Sequence, residues 1–230
     1  MRRAEAPRAE VRRAEAPRAG LLTASLLSSA LLLSSAVALT ACDNTPKAAA
    51  KDLRVDAGAE QLPELGDIGQ FELTSHAGAK VTRQTLEGKV WVANFFFTRC
   101  PVVCPRLIRK AREVQVQGKQ RGLSFQLVSF SVDPDNDTPA ELTAYAKKHE
   151  ADLSSWTFLT GDYEVVKRTS VEGFKLALEG SADASADHFG ILHGSHLVLV
   201  DTRGKIRGFY RPEEERSMEQ LLTDIGRLSK

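Results

Sequence analysis

Cysteine is scarce in this sequence, with three residues in 230. A secreted fold stapled by disulfides needs a denser supply, so the exported part of the chain must stand on a hydrophobic core of its own. Charge imbalance is also lacking. A formal net charge of +1 leaves no basic footprint for nucleic acid, and that class of function is excluded. The glycine-rich phosphate loop, the nucleophilic serine elbow and the zinc-protease helix motif are missing too, which removes three large enzyme classes. The balance of 42% hydrophobic and 27% charged residues is that of a soluble globular protein, and the length allows one ordinary domain with appendages.

The apolar residues are unevenly spread. Residues 2 to 9 (RRAEAPRA) recur at 12 to 19, and residues 21 to 41 then carry no charge at all. An Arg-rich stretch followed by an apolar one is the layout of an export signal. It ends in Leu39-Thr40-Ala41-Cys42, which resembles the lipobox of bacterial lipoproteins, where the cysteine sulfur receives diacylglycerol. The competing reading is an uncleaved membrane anchor, since about 20 apolar residues can span a bilayer. Ser, Thr and Ala are frequent in the stretch and a cysteine closes it, which favours a signal peptide over residues 1 to 42 with lipidation at Cys42. Either reading puts the remainder on a membrane, facing the periplasm in the cell envelope. Residues 1 to 42 hold six Arg and three Glu, so their removal takes the formal charge to about −2.

Residues 43 to 64 are polar and Ala-rich without a sustained apolar period, and read as a flexible tether. The pattern tightens afterwards, so residues 65 to 230 form the folded domain. FELTSHAGAKVT (71 to 82) predicts an N-terminal β-hairpin turning at His76-Ala77-Gly78. VWVANFFF (90 to 97) and LSFQLVSFSV (123 to 132) predict strands buried on both faces, and WTFLTG (156 to 161) a shorter one. Helices are expected over 106 to 120, from Pro139 to about Lys148 with Thr138 as cap, from Tyr163 to about Ser170, and over the last fourteen residues. HLVLVDTRGKIRGFY (196 to 210) predicts a hairpin turning at Asp201 to Gly204. This order is that of a thioredoxin-like α/β domain, a central mixed sheet flanked by helices, preceded by the β-hairpin.

Cys100 and Cys104 fall in TRCPVVCP, between a central strand and the helix after it, where open α/β sheets place their ligands. Because Pro101 and Pro105 push the residues before them toward extended geometry, both cysteines are expected in a loop outside the helix. The helix N-terminus nearby favours thiolate over thiol, making the pair nucleophilic, oxidisable and metal-avid. Three intervening residues make a wide loop, and two thiolates suit Cu(I) or Zn(II). A further ligand is then sought among the histidines. His76 in a turn and His149 at a helix end are expected to be charged or solvated, and His188 to be exposed in the loop 179 to 190. His193 and His196, three residues apart, are equal candidates on chemistry alone.

FFFTRCPVVCP, SVDPDNDTP and HGSHLVLVDTRGKIRGFY together resemble the Sco/SenC family of thioredoxin-like copper chaperones, over about residues 65 to 228. The resemblance implies copper held by Cys100, Cys104 and one histidine eleven residues before the turn glycine, which is His193, leaving His196 as a strand residue. It implies delivery to the copper-A subunit of cytochrome c oxidase, with a periplasmic copper donor and a thiol reductant as further partners. The chain departs from the common Asp-His-Ser/Thr form with Leu192-His193-Gly194, so the second shell of the imidazole is unspecified. Asp133 matches a recurrent family aspartate and is expected to close the loop from Asp133 to Asp137.

The alternative function is a membrane-tethered thiol-disulfide reductase, in which Cys100 attacks a client disulfide and Cys104 resolves. A peroxidase of the same fold would use Thr98 beside Cys100. A purely structural crosslink over so short a loop would remove little chain entropy.

Overall fold

The computed structural model of the chain describes residues 62 to 179 and 192 to 229, the side chains of Glu179, Leu192 and His193 apart. The export segment with Cys42, most of the tether, and His188 lie outside the described residues. No helix among the described residues is long and apolar enough to cross a membrane.

The unbroken apolar runs form the middle of one eight-stranded sheet. β4 (Trp91–Phe96), β5 (Gln126–Ser131) and β6 (Trp156–Thr160) pair in parallel in register from Trp91↔Gln126 to Phe96↔Ser131 and from Leu127↔Trp156 to Phe130↔Leu159. All six residues of β4 are buried, as expected of a strand covered on both faces. On one side β9 (Leu197–Val200) adds antiparallel to β4, followed by β10 (Lys205–Tyr210) and the short β1 (Gly66–Asp67). On the other, the predicted N-terminal hairpin of β2 (Glu72–Ser75) and β3 (Lys80–Thr82) joins through β2 to β6. The sheet is therefore mixed and the α/β class holds. A separate ladder joins β7 (Leu178–Glu179) to β8 (Leu192–His193), a pairing the sequence did not announce.

Side chains alternate along β4, and the two faces of the sheet carry different cores. Phe95 stacks on Phe130 at 5.0 Å and meets Phe174 edge-on at 5.3 Å. Phe96 points the other way, to Tyr145 at 5.3 Å and Phe158 at 5.6 Å. On that second face the Trp156 indole N–H donates to Ser129 Oγ (2.8 Å), which donates to Asn94 Oδ1 (2.6 Å). This buried polar chain fixes the register of three strands, because each donor must keep its partner.

Helix boundaries follow local chemistry. α1 (Arg83–Leu86) is a single turn after β3. α3 (Pro139–Lys148) starts with Thr138 accepting from the Glu141 N–H, with proline at the first helical position, as read from the sequence. α4 (Tyr163–Arg168) is capped by Asp162 and ends two residues before the expected Ser170, continuing as a wider π-type turn over Thr169–Gly173. The widening accommodates a backbone approach: a Cβ on Gly173 would lie 2.3 Å from the Ile68 carbonyl oxygen. α2 (Val103–Gln120) ends at the expected residue but starts three residues before the expected 106, and Gly118 near its end makes room for Phe125, whose ring a Cβ there would approach to 2.4 Å. Its buried face runs through Leu107, Ile108, Ala111 and Val114, whereas Val116 is exposed.

α5 (Glu215–Leu228) lies beside α2, joined by Lys110 to Glu215 and Arg121 to Glu219, and the Tyr210 hydroxyl donates to the buried Asp224 at 2.9 Å. Leu62 and Glu64, assigned to the tether by sequence, already contact the domain. The Leu62 carbonyl accepts from Arg207, and Glu64 pairs with Lys205 at 3.0 Å.

Candidate metal and thiol site

β4 delivers the chain to Thr98, and a tight turn (Cys100 N–H to Phe97 O, 3.3 Å) leads to the cysteines. The expectation that both lie outside the helix is corrected here. Cys100 precedes α2, but Cys104 is its second residue, with Val102 as N-cap. Pro105 then occupies the third helical position, where its missing N–H would have had no acceptor in the helix, so the bias against helical geometry before proline is overcome.

The two sulfurs differ sharply in environment. Cys104 is wholly buried and Cys100 half-buried, and no disulfide joins them. The Cys104 N–H donates to Cys100 Sγ at 3.3 Å, so the sulfur of Cys100 caps a backbone donor of the first helical turn. Burial pushes the Cys104 thiol far above the ordinary range, opposed by a backbone hydrogen bond with Phe97 and reinforced by Cys100 and Asp137. The expected thiolate preference of both cysteines is thus overturned for Cys104, where desolvation outweighs the helix end.

Two buried carboxylates brace the strand side of the cysteine loop. Asp137 accepts from the Thr98 N–H (3.1 Å), the Thr98 hydroxyl (2.5 Å) and the Ser131 hydroxyl (2.5 Å). Burial pushes the Asp137 carboxyl up, partly offset by those donors. Thr98, which a peroxidase would need for its substrate, is spent on this carboxylate. Asp133 closes its loop as expected: its carbonyl accepts from the N–H groups of Asn136 and Asp137, and its carboxylate from the Asn136 side chain. It also takes the Arg99 guanidinium at 2.7 and 2.9 Å. Sequence reasoning missed Arg99 and Asp137. The signal was an arginine adjoining the first cysteine of the pair and a third aspartate four residues after Asp133.

Tyr145 was missed as well. It is buried from α3, its hydroxyl has no hydrogen-bond partner among the described residues, and burial followed by the charges of Cys104 and Cys100 pushes its pKa up.

The histidines separate. His76 is half-buried, accepts the Phe158 N–H at Nδ1 (3.3 Å) and meets the Phe158 ring edge-on; burial lowers its pKa, so it is a neutral acceptor and not a charged surface group. His149 follows α3 as predicted, but its ring lies 4.3 Å from that of Tyr145 and burial again lowers its pKa. His196 is not a strand residue: it precedes β9, half-buried, with its ring 6.3 Å from Phe209 and its Nδ1 buried without a partner among the described residues. His193 stands in β8 opposite Leu178. Two residues on, Ser195 lines a groove of about 490 Å³ with Val103, Arg106 and Leu107 of α2. The chain just after His193 therefore runs beside the first turns of the cysteine helix.

Among the described residues no cluster of three His, Cys, Asp or Glu side chains is preassembled for a metal. What the described geometry offers is a pair of soft sulfurs, one accessible and one buried, suited to a soft monovalent ion or to disulfide exchange.

Comparison with known proteins converges on one family. The SCO1/SenC family model matches residues 60–230. A SCO1/SenC family lipoprotein of Bacillus anthracis is 32% identical with a TM-score of 0.67, covering 74% of this chain and 99% of its own. BsSco, a member of the Sco family of cytochrome c oxidase assembly proteins in which a disulfide switch was identified, is 27% identical with a TM-score of 0.65, covering 74% and 97%. Copper-bound ScoI of Bradyrhizobium japonicum, 24% identical over 70% of this chain and 98% of its own, shares the fold with a TM-score of 0.59. With a thioredoxin-like sheet, a cysteine pair at the carboxyl end of its central strand and a family match across the whole described domain, this chain belongs to the SCO1/SenC family.

Proposed function

We propose that the chain is a membrane-tethered Cu(I) chaperone that delivers copper to the copper-A centre of cytochrome c oxidase. The observation that carries this reading is the cysteine pair itself: Cys104 buried in the first turn of α2, its N–H on the half-exposed sulfur of Cys100. Copper is the cargo. The sulfurs of Cys100 and Cys104, Cys104 releasing its proton to solvent as the ion binds, and the neutral imidazole of His193 hold the ion, which keeps its oxidation state throughout. A client thiolate enters on the exposed side, displaces Cys100, and the remaining ligands follow. The copper-bound state of B. japonicum ScoI supports this choice of cargo, and the cytochrome c oxidase assembly role of the BsSco family supports the client.

Lipidation of Cys42 tethers the domain to the membrane on its periplasmic side, within reach of a membrane-bound client and of a periplasmic copper donor. The lipoprotein of B. anthracis supports this anchoring. Anaerobically purified full-length protein, loaded with Cu(I) and mixed with an apo copper-A domain, should lose copper to that domain. Copper that stays on the chain, or that never binds it, refutes delivery.

One observation favours a second reading. The accessible Cys100 and the wholly buried Cys104 have the asymmetry of an attacking and a resolving thiol, so the same pair can reduce a disulfide in the client's copper site. The client disulfide is reduced to two thiols while Cys100 and Cys104 are oxidised to a disulfide, which a periplasmic thiol reductant must then reduce. The disulfide switch of BsSco supports it.

A further inference from the structure

The surface around the cysteines combines two features, exposed apolar residues and a helix start without an acid. Val102 and Val103, at the tip of the cysteine loop, are 47% and 49% exposed, although nothing in loop geometry requires apolar residues there. Electrostatics is the other feature. α3, α4 and α5 each carry a glutamate in the first turn, where it complements the positive end of the helix dipole. α2 carries none, and its first charged residue is Arg106, which adds cationic charge to an end that is already positive.

Arg106 and Arg109 are exposed and have no acid within ion-pair distance among the described residues. The other basic residues of the same helix are neutralised: Lys110 by Glu113 and Glu215, Arg112 by Glu150, Lys119 by Asp152. Both unpaired arginines line the groove that runs from Val103 to Ser195. Of the two acids in that groove, Glu113 is held by Lys110, and Glu213 offsets one of the two arginine charges at most. The groove therefore keeps an excess of positive charge from Arg106 and Arg109, beside an apolar tip on the helix that begins at the cysteine loop. A local cost without an internal gain marks a surface built for something outside the chain.

We infer that the face formed by Val102, Val103, Arg106 and Arg109 docks an acidic, cysteine-bearing segment of the protein that exchanges cargo or electrons with Cys100. This rests on the reading of Cys100 as the exchanging sulfur. The apolar tip excludes water at the point of exchange, and the arginines attract and orient the acidic segment.

The test uses the full-length reduced chain and three short peptides of equal length, each with one cysteine capped as a thionitrobenzoate mixed disulfide and flanked by acidic, neutral or basic residues. Cys100 thiolate attacks the peptide sulfur; the probe disulfide breaks, a Cys100–peptide disulfide forms, and coloured thionitrobenzoate leaves with the electron pair. The acidic peptide should react about tenfold faster than the basic one at low ionic strength, with the gap closing as salt is added. The R106E/R109E variant should reverse that order, whereas the same reversal of charge on α4, K167E/R168E, should leave it unchanged. Cu(I) retention against bicinchoninate should be the same in R106E/R109E as in the unmodified chain, which separates loss of docking from loss of the copper site. An unchanged peptide order in R106E/R109E overturns the inference. So does co-sedimentation with phosphatidylglycerol vesicles that is lost in R106E/R109E while the peptide rates stay the same, since the face would then read lipid. Absence of copper binding with the peptide order intact would overturn the chaperone reading and leave the docking face standing.

Discussion

The backbone N–H of Cys104 donates to the sulfur of Cys100 across 3.3 Å, which ties the accessible thiol to the first turn of the helix that buries its partner. One residue is thus presented to solvent and the other withheld, although both belong to the same short motif.

Alkylation should expose this difference. In the native reduced protein Cys100 should react with iodoacetamide at least about tenfold faster than Cys104, because a buried thiol is both inaccessible and held protonated. Peptide mapping after a timed quench measures the order; equal labelling of the two contradicts the described burial.

Asp137 should matter to stability out of proportion to its distance from any surface. Removing its carboxylate in Asp137→Ala leaves the Thr98 N–H, the Thr98 hydroxyl and the Ser131 hydroxyl without their acceptor. The expected loss is roughly 2–4 kcal/mol, read as a lower urea midpoint with unchanged slope. Asp137→Asn, which keeps an acceptor oxygen, should recover part of it.

The Arg99–Asp133 pair predicts an asymmetric response. Arg99→Ala strands a wholly buried carboxylate, but Arg99 is about a third exposed and water screens the loss, so about 1–3 kcal/mol is expected. Joint replacement, Arg99→Ala with Asp133→Asn, should cost less than the sum of the single changes, and a double-mutant cycle measures the difference.

Gly173 should not tolerate a side chain. Its Cβ would press on the Ile68 carbonyl, which as backbone cannot swing aside, so Gly173→Ala should destabilise by about 1–3 kcal/mol. Thermal unfolding followed by calorimetry checks it.

Stability should fall on mild acidification. Burial lowers the pKa of His76 and of His149 below the ordinary value of 6.5, so the folded state binds fewer protons than the unfolded one in this range. Their contribution is therefore present above about pH 6.5 and is lost as pH falls through the folded values. Urea unfolding between about pH 7.5 and about pH 5.5 should show this slope, flattened in His76→Gln, whose amide can still accept the Phe158 N–H.

Much of this was legible in the sequence. The runs at 90 to 97 and 123 to 132 could only be strands covered on both faces, and Thr138-Pro139 marked the start of α3 to the residue. The placement of Cys104 was not legible, because the bias of a residue before proline competes with the free N–H positions of a first helical turn, and the outcome depends on how the turn packs. The Thr98–Asp137 and Arg99–Asp133 contacts join segments more than thirty residues apart, which no local pattern encodes. The ladder between Leu178 and His193 escaped notice because strands of two residues have no periodicity to read.

The central claim is that two sulfurs and one imidazole hold a single Cu(I) ion. X-ray absorption at the copper edge, on the full-length chain loaded anaerobically, tests it most directly. The account predicts one copper per chain with two sulfur neighbours and one nitrogen, the nitrogen disappearing in His193→Ala and a sulfur in Cys104→Ser. A spectrum with sulfur neighbours alone, or one unchanged in His193→Ala, would contradict it.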